Sequence, residues 1–364
     1  MPPATLFTYL ARRMIYALIG LAAALAGIVF LADFIENLRF VGKVGAGFAF
    51  ALEITLLRLP SIAQSLLPFI FLFGAIWMFT QLNRRSEIAV MRSAGLSAWR
   101  LIAPSAFIAG LFGFAVITLL DPISARMMAY GDKLKLQSRG QNSSSLVRVF
   151  GDGIWLRQRD SDETLVINAA SFDETRGILK GVTIWRLGAD AEFNERIDAP
   201  EASFSGRTIE LKDALMKSAT GAISQRTPKY SVPTSLTLAD LRENTPAPET
   251  MSVWDLPHFI LLAEAAGLPT VRYNIRFHDL CATPLKLTAM VLIAALFSLG
   301  PMRSGGGSRL LFLAVAAGFA LYIFAEVSNA LGESGIAPPI LAAWTPALVA
   351  TIFAVTMMMR FEEA

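Results

Sequence analysis

The stretch that decides the fold is RRSEIAVMRSAGLS, residues 84–97. It is a short charged segment between two apolar runs, residues 59–79 and 98–120, and each run is about long enough to cross a bilayer as an α-helix. Charged residues between two adjacent membrane spans belong in water rather than in hydrocarbon. The segment is therefore predicted to be a tight loop at one face of a membrane.

The same segment carries a helical pattern. Ile88, Met91 and Gly95 recur at i, i+3 and i+7, which places a small apolar stripe on one side of a helix. Arg84 and Arg92 lie around that stripe. Such a helix is able to dock on a soluble partner; the plainer interpretation is a hairpin turn whose arginines hold it in the cytoplasm.

Composition places the chain in a membrane. Of its 364 residues, 54% are hydrophobic and only 17% are charged, which is too apolar for a soluble domain of this size. The formal net charge of +3 is small, and no basic stripe or aromatic ladder supports nucleic-acid binding. Cys281 is the only cysteine, so an internal disulfide or a cysteine metal cluster is excluded.

Four further apolar runs complete a pattern of six spans. The second span contains Pro60 and Pro68, which a membrane helix tolerates when neighbouring groups satisfy the freed carbonyls. The first run is interpreted as an uncleaved helix because it is longer than the apolar region of a usual signal peptide. The four runs cover residues 14–32, 281–299, 310–329 and 339–359.

About 150 residues of ordinary soluble composition separate the third span, which is predicted to exit near Asp121-Pro122, from the fourth. Short alternating segments in this region are separated by Gly, Asp, Ser and Pro, which predicts β-strands in a sandwich or jelly roll. A helical stripe that starts at Ser252 and ends at Gly267 predicts an elbow leading back to the membrane. The predicted strands include residues 153–158, 164–168, 178–187 and 208–211.

The predicted fold class is an α-helical membrane protein with six transmembrane helices, in a 3+3 arrangement, and an inserted β-rich, jelly-roll-like periplasmic domain. Residues 1–125 hold the first three helices and the charged loop. Residues 126–272 hold the β domain and its elbow, and residues 273–364 hold the last three helices.

The distribution of arginines predicts that both chain ends lie in the cytoplasm, because short cytoplasmic loops carry an excess of positive charge. The exceptions are Arg39, Lys43 and Arg58 in the first outer segment. The arginines predicted to lie inside are Arg12, Arg13, Arg84, Arg85, Arg92, Arg303, Arg309 and Arg360.

Enzyme chemistry is not expected of this chain. The glycine run at residues 305–307 lacks the spacing of a phosphate-binding P-loop, and the sequence holds no Walker motif. His258 and His278 have no Cys or carboxylate at metal-ligand spacing. No catalytic residue, metal or bound cofactor is predicted.

Ionisable residues in apolar spans are informative because each costs a few kcal/mol in hydrocarbon unless it faces a cavity or a partner. Glu326 lies near the outer end of the fifth span and is predicted to face a cavity or a partner protein, or to reach the outer interface. Asp33 and Glu36 share one helix face at the outer end of the first span. They are candidates to line a gate or to mark the water surface.

Several short motifs resemble the LptF/LptG permease family. The pattern S-E-x-x-V-M-x-x-x-G-L-S, from Ser86 to Ser97, resembles that family's coupling helix. Asp33-Phe34-Ile35-Glu36 ends the first span. Leu299-Gly300-Pro301-Met302-Arg303-Ser304 follows the fourth span, and Gly335-Ile336-Ala337-Pro338-Pro339 precedes the sixth. The last two motifs favour the LptG branch, and the resemblance covers most of the chain.

The resemblance implies a permease subunit of the bacterial inner-membrane ABC transporter that extracts lipopolysaccharide. It implies an LptF-like permease partner, an LptB-like ATPase dimer that uses ATP and Mg, and an LptC-like bitopic protein. Lipid would enter between the first and fifth spans. The residues expected to line the cavity or gate are Ile28, Leu31, Arg39, Lys43, Phe312, Phe319, Ile323 and Glu326.

The same resemblance implies that residues 84–97 couple the permease to the ATPase. Glu87 is expected to anchor the helix in a groove of the ATPase through charge-assisted hydrogen bonds, with Arg92 as an auxiliary contact. The residues assigned to coupling are Arg84, Ser86, Glu87, Met91, Arg92 and Gly95.

One departure from the family pattern concerns the outer end of the first span, which is basic in some members. This chain has Asp33 and Glu36 there, and its nearest cations are Arg39 and Lys43. The acidic pair makes phosphate binding at that mouth doubtful on sequence alone.

Three other functions compete with lipid export. A membrane-anchored sensor or scaffold needs fewer than six spans, and a mechanotransmission-type ABC permease that carries no lipid usually has four. An intramembrane enzyme would need a paired acid, a Ser/His arrangement or a metal set, which the sequence lacks.

Overall fold

The computed structural model describes residues 3–138, 145–150, 153–159, 163–173, 177–188, 192–205, 208–218, 225–234, 246–299 and 307–363. The chain divides into two compact units. The first unit comprises residues 1–131 and 274–364, and the second comprises residues 132–273. The predicted motif at residues 299–304, apart from Leu299, and the glycine run at residues 305–306 lie outside the described residues.

The first unit is helical. Six helices of the described chain are long and apolar enough to span a membrane, so the predicted six-span pattern is confirmed. In chain order the helices are α1 (Pro3–Val44), α2 (Phe48–Arg84), α3 (Glu87–Ser93), α4 (Ala98–Ala115), a π-helical turn (Val116–Leu120), α5 (Asp121–Ser138), α7 (Val271–Ser298), α8 (Gly307–Glu333) and α9 (Pro339–Glu363), with α6 (Leu256–Ala265) in the second unit.

Helices α1 and α2 are longer than their apolar runs. The 42 residues of α1 extend over about 63 Å, roughly twice the thickness of the hydrocarbon core. Residues 33–44 and 48–58 are therefore helical, and only a short turn separates α1 from α2. Hydropathy indicates where a helix leaves the lipid, but the helix and its backbone hydrogen bonds continue into water beyond that point.

The helix of the third span continues past Asp121-Pro122, where the sequence predicts that the span leaves the membrane. It runs on from residue 98 to residue 138 through the π-helical turn. In that turn the Asp121 N–H donates to Val116 O, five residues back, instead of four. The local change of hydrogen-bond register lets the helix accommodate Pro122, which has no N–H to donate.

A buried polar cluster joins the second, third and fourth spans at this turn. The Asp121 side chain is fully buried and pairs with Arg276 Nη2 at 3.2 Å. Gln64 Nε2 also donates to Asp121 Oδ1 at 3.2 Å, and Gln64 Oε1 accepts from Ser124 Oγ at 3.0 Å. The carboxylate is thus compensated inside the helical unit, as a buried charge requires.

The apolar core of this unit contains residues from every membrane span and from α3. Spans three and four approach closely at Gly113, where a Cβ atom would lie 2.5 Å from Pro284 Cα and 2.9 Å from Pro284 N. Both neighbours are backbone atoms and have little room to move. Small residues permit this kind of close helix contact in membranes, where packing drives association.

The second unit is β-rich, which confirms the predicted inserted β domain. Its described strands form one antiparallel sheet in which each strand pairs with the next. The described connections are therefore those of a meander rather than of a Greek key. The strands are β1 (Ser145–Phe150), β2 (Gly153–Arg159), β3 (Glu163–Asp173), β4 (Ile178–Gly188), β5 (Phe193–Ser205), β6 (Thr208–Ser218) and β7 (Gln225–Pro233).

One face of this sheet is apolar and buried. Ile167 pairs with Ile184, which pairs in turn with Ile197, and all three are fully buried. Helix α6, the predicted elbow, contributes Ala263 to the same core. The sheet also curls, since Thr234, which follows β7, donates 2.6 Å to Gln158 Oε1 in β2. Curling encloses the core without a second sheet.

We predict that Gly113→Ala destabilises the helical unit by about 1–3 kcal/mol, because the added methyl group meets the backbone of Pro284. The matched control is Gly110→Ala, where the new Cβ meets only Thr288 Oγ1 at an ordinary 3.7 Å. Thermal unfolding of the purified proteins measures both. Equal midpoints for the two variants would contradict the close approach.

Candidate functional site: the loop between the second and third spans

The charged loop folds as two tight turns around α3. Ser86 precedes the helix with φ +58°, a left-handed conformation that is uncommon for a residue other than glycine. Its N–H donates to Asn83 O at 2.9 Å, which closes the turn after α2. The sequence thus reverses direction within two residues, and α3 begins at once with Glu87.

Gly95 ends α3. Its φ of +82° is accessible to glycine, and its N–H donates to Arg92 O at 2.9 Å. Leu96 N–H donates to Met91 O at 3.2 Å, so the pair of bonds forms a Schellman motif. Ser97 then caps α4 by accepting from Arg100 N–H at 3.4 Å. Gly95, predicted as a coupling residue, therefore shapes the loop through its backbone.

The apolar stripe predicted on α3 faces inward. Ile88 is only 3% exposed and belongs to the helical core, against which Met91 also packs. The outward face instead holds Ala89, Val90 and Arg92, and Val90 is 66% exposed. Sequence spacing grouped Ile88 and Met91 correctly, but Gly95 lies after α3 and is exposed. Spacing also could not say whether the stripe covered the chain's own core or a partner.

Glu87 is bound by α1. Tyr9 OH donates to Glu87 Oε2 at 2.6 Å, and Arg13 Nη2 lies 3.4 Å from Glu87 Oε1. The Arg13 guanidinium also lies 5.1 Å from the centre of the Tyr9 ring. These three residues form a clamp between the start of α1 and the start of α3. The assignment of Glu87 to an ATPase groove stays a prediction, and its oxygens already have partners in this chain.

Two further hydrogen bonds attach the loop to other helices. Asn83 Nδ2 donates to Ser298 O at the end of α7 at 3.0 Å, and Ala98 N–H donates to Glu362 Oε1 of α9 at 3.2 Å. The sequence reasoning did not find Tyr9, Asn83 or Glu362. Their position near the ends of apolar runs on the same predicted face was the available signal.

At the other end of α1, Asp33 is buried rather than placed in a gate. Its carboxylate accepts from Arg58 Nη1 at 3.0 Å and from Asn37 Nδ2 at 2.7 Å. Asn37 Nδ2 also donates to Thr55 Oγ1 at 3.0 Å, so the cluster ties α1 to α2. The suggestion that Asp33 lines a gate or marks the water surface is corrected, because only 8% of Asp33 is exposed.

Burial of Asp33 changes the charge of the outer surface of α1. Glu36, Arg39 and Lys43 are exposed there. Since Arg58 compensates Asp33, the exposed residues of this stretch are two cations and one anion. The acidic pair Asp33 and Glu36 is therefore a weaker argument against phosphate binding than the sequence alone suggested.

The predicted cavity residues on the first and fifth spans are exposed within this chain. Ile28 and Phe312 are 65% and 71% exposed, and Leu31, Phe319 and Ile323 are also exposed. Glu326 is exposed too, with Tyr322 beside it one turn earlier. The apolar side chains of this set need lipid or another protein to cover them, since together they are too apolar to face water.

Comparison with known proteins adds independent information. The model of the family described as lipopolysaccharide export system permease LptF/LptG matches residues 8–360. The chain is 23% identical to the lipopolysaccharide export system permease protein LptG of Haemophilus influenzae, over 95% of each chain. It is also 23% identical to LptG of Escherichia coli strain K12, over 93% of this chain and 92% of the relative.

We predict that Arg58→Met lowers the free energy of unfolding by roughly 2–3 kcal/mol, because it leaves the buried Asp33 carboxylate without its cation. The value is at the low end for a buried pair since the Arg58 side chain is 30% exposed. Denaturation of the purified protein measures the loss. The double variant Asp33→Leu/Arg58→Met should recover most of it, and Arg39→Met, at an exposed position, serves as the control.

Proposed function

Because the chain belongs to the LptF/LptG family of lipopolysaccharide export permeases, it is a multi-pass inner-membrane permease of lipopolysaccharide export, and we propose that it forms the LptG-like half of an ABC transporter. The family match over residues 8–360 carries this conclusion. The proposed partners are an LptF-like permease, an LptB-like ATPase dimer and an LptC-like bitopic protein.

The ATPase is proposed to be a separate polypeptide that binds ATP and Mg, since this sequence has no Walker motif. It would contact the outward side of the loop, where Val90 is exposed beside Arg84, Ser86 and Arg92. Met91 would support that surface from beneath, and Gly95 would hold its shape. A rigid loop suits this role because it can transmit movement to α2 and α4 without bending.

The clamp at Glu87 gives the loop a second connection, to α1. Movement imposed on α3 would reach α1 through Tyr9 and Arg13 as well as through the neighbouring spans. We propose that Glu87 acts in coupling through this internal clamp, and that Arg92 and Val90 make the contacts with the ATPase.

Energetics explain why the cavity needs to be apolar. Each CH₂ group moved from hydrocarbon into water costs about 0.8 kcal/mol, so a lipid with several acyl chains cannot be moved through water. The exposed side chains of Ile28, Leu31 and Phe312, on the first and fifth spans, would contact the acyl chains in place of the surrounding membrane lipid. ATP hydrolysis would then have to supply only the free-energy difference between the lipid in the membrane and the lipid in the cavity.

The outer end of α1 is proposed to bind the negatively charged part of the lipid. Arg39 and Lys43 are exposed four residues apart, which places them on one helix face. Glu36 lies one turn before Arg39 on the same face and limits the net positive charge. This arrangement suits phosphate, or another anionic group, more than a neutral headgroup.

Affinity purification of the chain from its native membrane should recover a second six-span permease, a Walker-motif ATPase and lipopolysaccharide. Glu326→Leu should lower the amount of lipopolysaccharide recovered but leave the co-purifying proteins unchanged, because the carboxylate is proposed to face the cavity. Recovery of the chain with a signalling protein and no ATPase would favour a sensor instead. Unchanged lipid in Glu326→Leu would remove that residue from the cavity.

Measurements of lipopolysaccharide export and of ATPase binding should distinguish the two roles proposed for Glu87, as a member of the internal clamp or as a direct contact with the ATPase. If the internal clamp matters, Tyr9→Phe should slow export as Glu87→Gln does, since it removes only a hydrogen bond within the chain. If Glu87 instead contacts the ATPase directly, only Glu87→Gln should weaken ATPase binding. Tyr16→Phe is the matched control, because Tyr16 bonds only to Arg12 among the hydrogen bonds seen for its hydroxyl.

A further inference from the structure

Helix α6 is apolar on nearly all sides, although it belongs to the β-rich unit. Leu256, Ile260 and Ala263 lie on its inner side and are buried, and Ala263 is part of the core of the sheet. The opposite side is exposed, together with the turn that precedes the helix. Trp254 is 63% exposed there and Leu261 is 66% exposed. A helix that is apolar all round is normally covered on both sides.

The exposed residues of α6 and its preceding turn form one stripe, because they recur at i, i+3, i+4, i+7, i+10 and i+11. The stripe contains no Lys or Arg. Its single carboxylate, Glu264, accepts from Thr270 Oγ1 at 3.2 Å. Any attraction to this surface is therefore apolar rather than ionic. The exposed stripe consists of Trp254, Pro257, His258, Leu261, Glu264 and Ala265.

Helix α6 is packed against the first turn of α7. The ring centres of Phe259 in α6 and Tyr273 in α7 lie 4.7 Å apart. Tyr273 is buried, and its hydroxyl donates to Pro246 O at 2.7 Å. These contacts all lie within the β-rich unit. The position of Tyr273 along the membrane span therefore also gives the depth of α6.

The length of α7 sets that depth. The helix is continuous from Val271 to Ser298, and Ser298 O accepts from Asn83 Nδ2, close to the start of α3. Tyr273 precedes Ser298 by 25 residues, which corresponds to about 38 Å along the helix, or about 35 Å across the membrane at an average tilt of about 20°. The hydrocarbon core is about 30 Å thick. With Ser298 at one boundary of the core, Tyr273 lies among the headgroups of the leaflet opposite to α3.

The charged residues of α7 agree with this depth. Asp279 lies about 28 Å from Ser298, near the same boundary of the hydrocarbon core as Tyr273. Lys286 is deeper in the span and donates to Asp279 Oδ1, so its amine is directed toward that boundary. Arg272 and Arg276 precede Asp279, on the headgroup side.

We propose that the exposed stripe of α6 binds the lipid surface of the leaflet opposite to α3 and anchors the β-rich unit there. Trp254 and Leu261 would insert between the headgroups, a depth at which tryptophan is enriched and at which amphipathic helices bury their apolar face. Depth selects this occupant, because lipid already surrounds an exposed apolar surface among the headgroups, whereas a protein partner would first have to displace that lipid.

Two consequences follow from the composition of the stripe. Because it carries no Lys or Arg, α6 is expected to bind neutral and anionic lipid equally well. Because α6 is packed on both the sheet and α7, its anchoring would fix the β-rich unit to the membrane surface at the point where the chain returns to it. The inference goes beyond lipopolysaccharide export and does not depend on the exported substrate.

Fluorescence quenching tests the proposal on the full-length chain in phosphatidylcholine nanodiscs. Cys281→Ala removes the only native thiol, and Leu261→Cys then carries an environment-sensitive fluorophore. Lipid with a spin label near the headgroup end of its acyl chain should quench this fluorophore roughly threefold more than the same fluorophore at Lys229→Cys, an exposed position of β7 outside the stripe. The difference should persist in phosphatidylglycerol nanodiscs. Equal quenching at the two positions would overturn the proposal.

A pair of double variants tests the two anchoring side chains, with the fluorophore moved to Ala265→Cys. Trp254→Ser/Leu261→Ser should lower quenching by spin-labelled lipid roughly threefold. The matched control is Trp254→Phe/Leu261→Ile, which stays apolar and should be quenched like the parent. Both side chains are exposed, so the two double variants should unfold at the same temperature. Equal quenching in the two would contradict anchoring by these residues.

A photo-crosslinker at position 261 distinguishes lipid from a protein partner in native membranes. Adducts with phospholipid are expected, and a protein adduct as the main product would overturn the assignment to lipid. Because lipid contact is measured without export, failure of the proposed export function would leave this result unchanged.

Discussion

Water is absent from the hydrocarbon core of a bilayer, and every backbone N–H and C=O there needs a partner within the protein. This constraint explains why the spans are continuous helices even where the sequence contains proline. Pro60 and Pro68 lie inside α2, and Pro122 follows a π-helical turn instead of ending its helix.

The same constraint governs the charged side chains within the helical unit. Asp121 is fully buried and binds Arg276 and Gln64, while Asp33 binds Arg58 and Asn37. Asp121 connects helices that are distant in the chain, and Asp33 connects the consecutive helices α1 and α2. They hold the bundle in register, and they leave Glu36, Arg39 and Lys43 as the exposed charges of this stretch of α1.

The loop at α3 is held from several directions. Glu87 binds α1, Asn83 binds the end of α7, Glu362 of α9 binds the start of α4, and Ile88 anchors α3 in the core. A surface helix of seven residues is too short to be stable alone. Its stability comes from these contacts, which also make it suitable for transmitting force from a partner to the membrane spans.

Sequence by itself determined the six spans, the β-rich insertion, the loop between the second and third spans and the resemblance to the export permeases. These features depend on the length of apolar runs, on two-residue alternation and on short motifs, all of which are local. The Schellman motif at Gly95 and the N-cap at Ser97 are local in the same way, because they involve only neighbouring residues.

Only the tertiary structure decided which face of α3 points outward and which partners Glu87 and Asp33 bind. Tyr9 and Glu87 are separated by 78 residues, and Arg58 and Asp33 by 25. Periodicity identified Ile88 and Met91 as one stripe but was silent on what covered it. Pairings of this kind follow from how whole helices pack, so no local pattern encodes them.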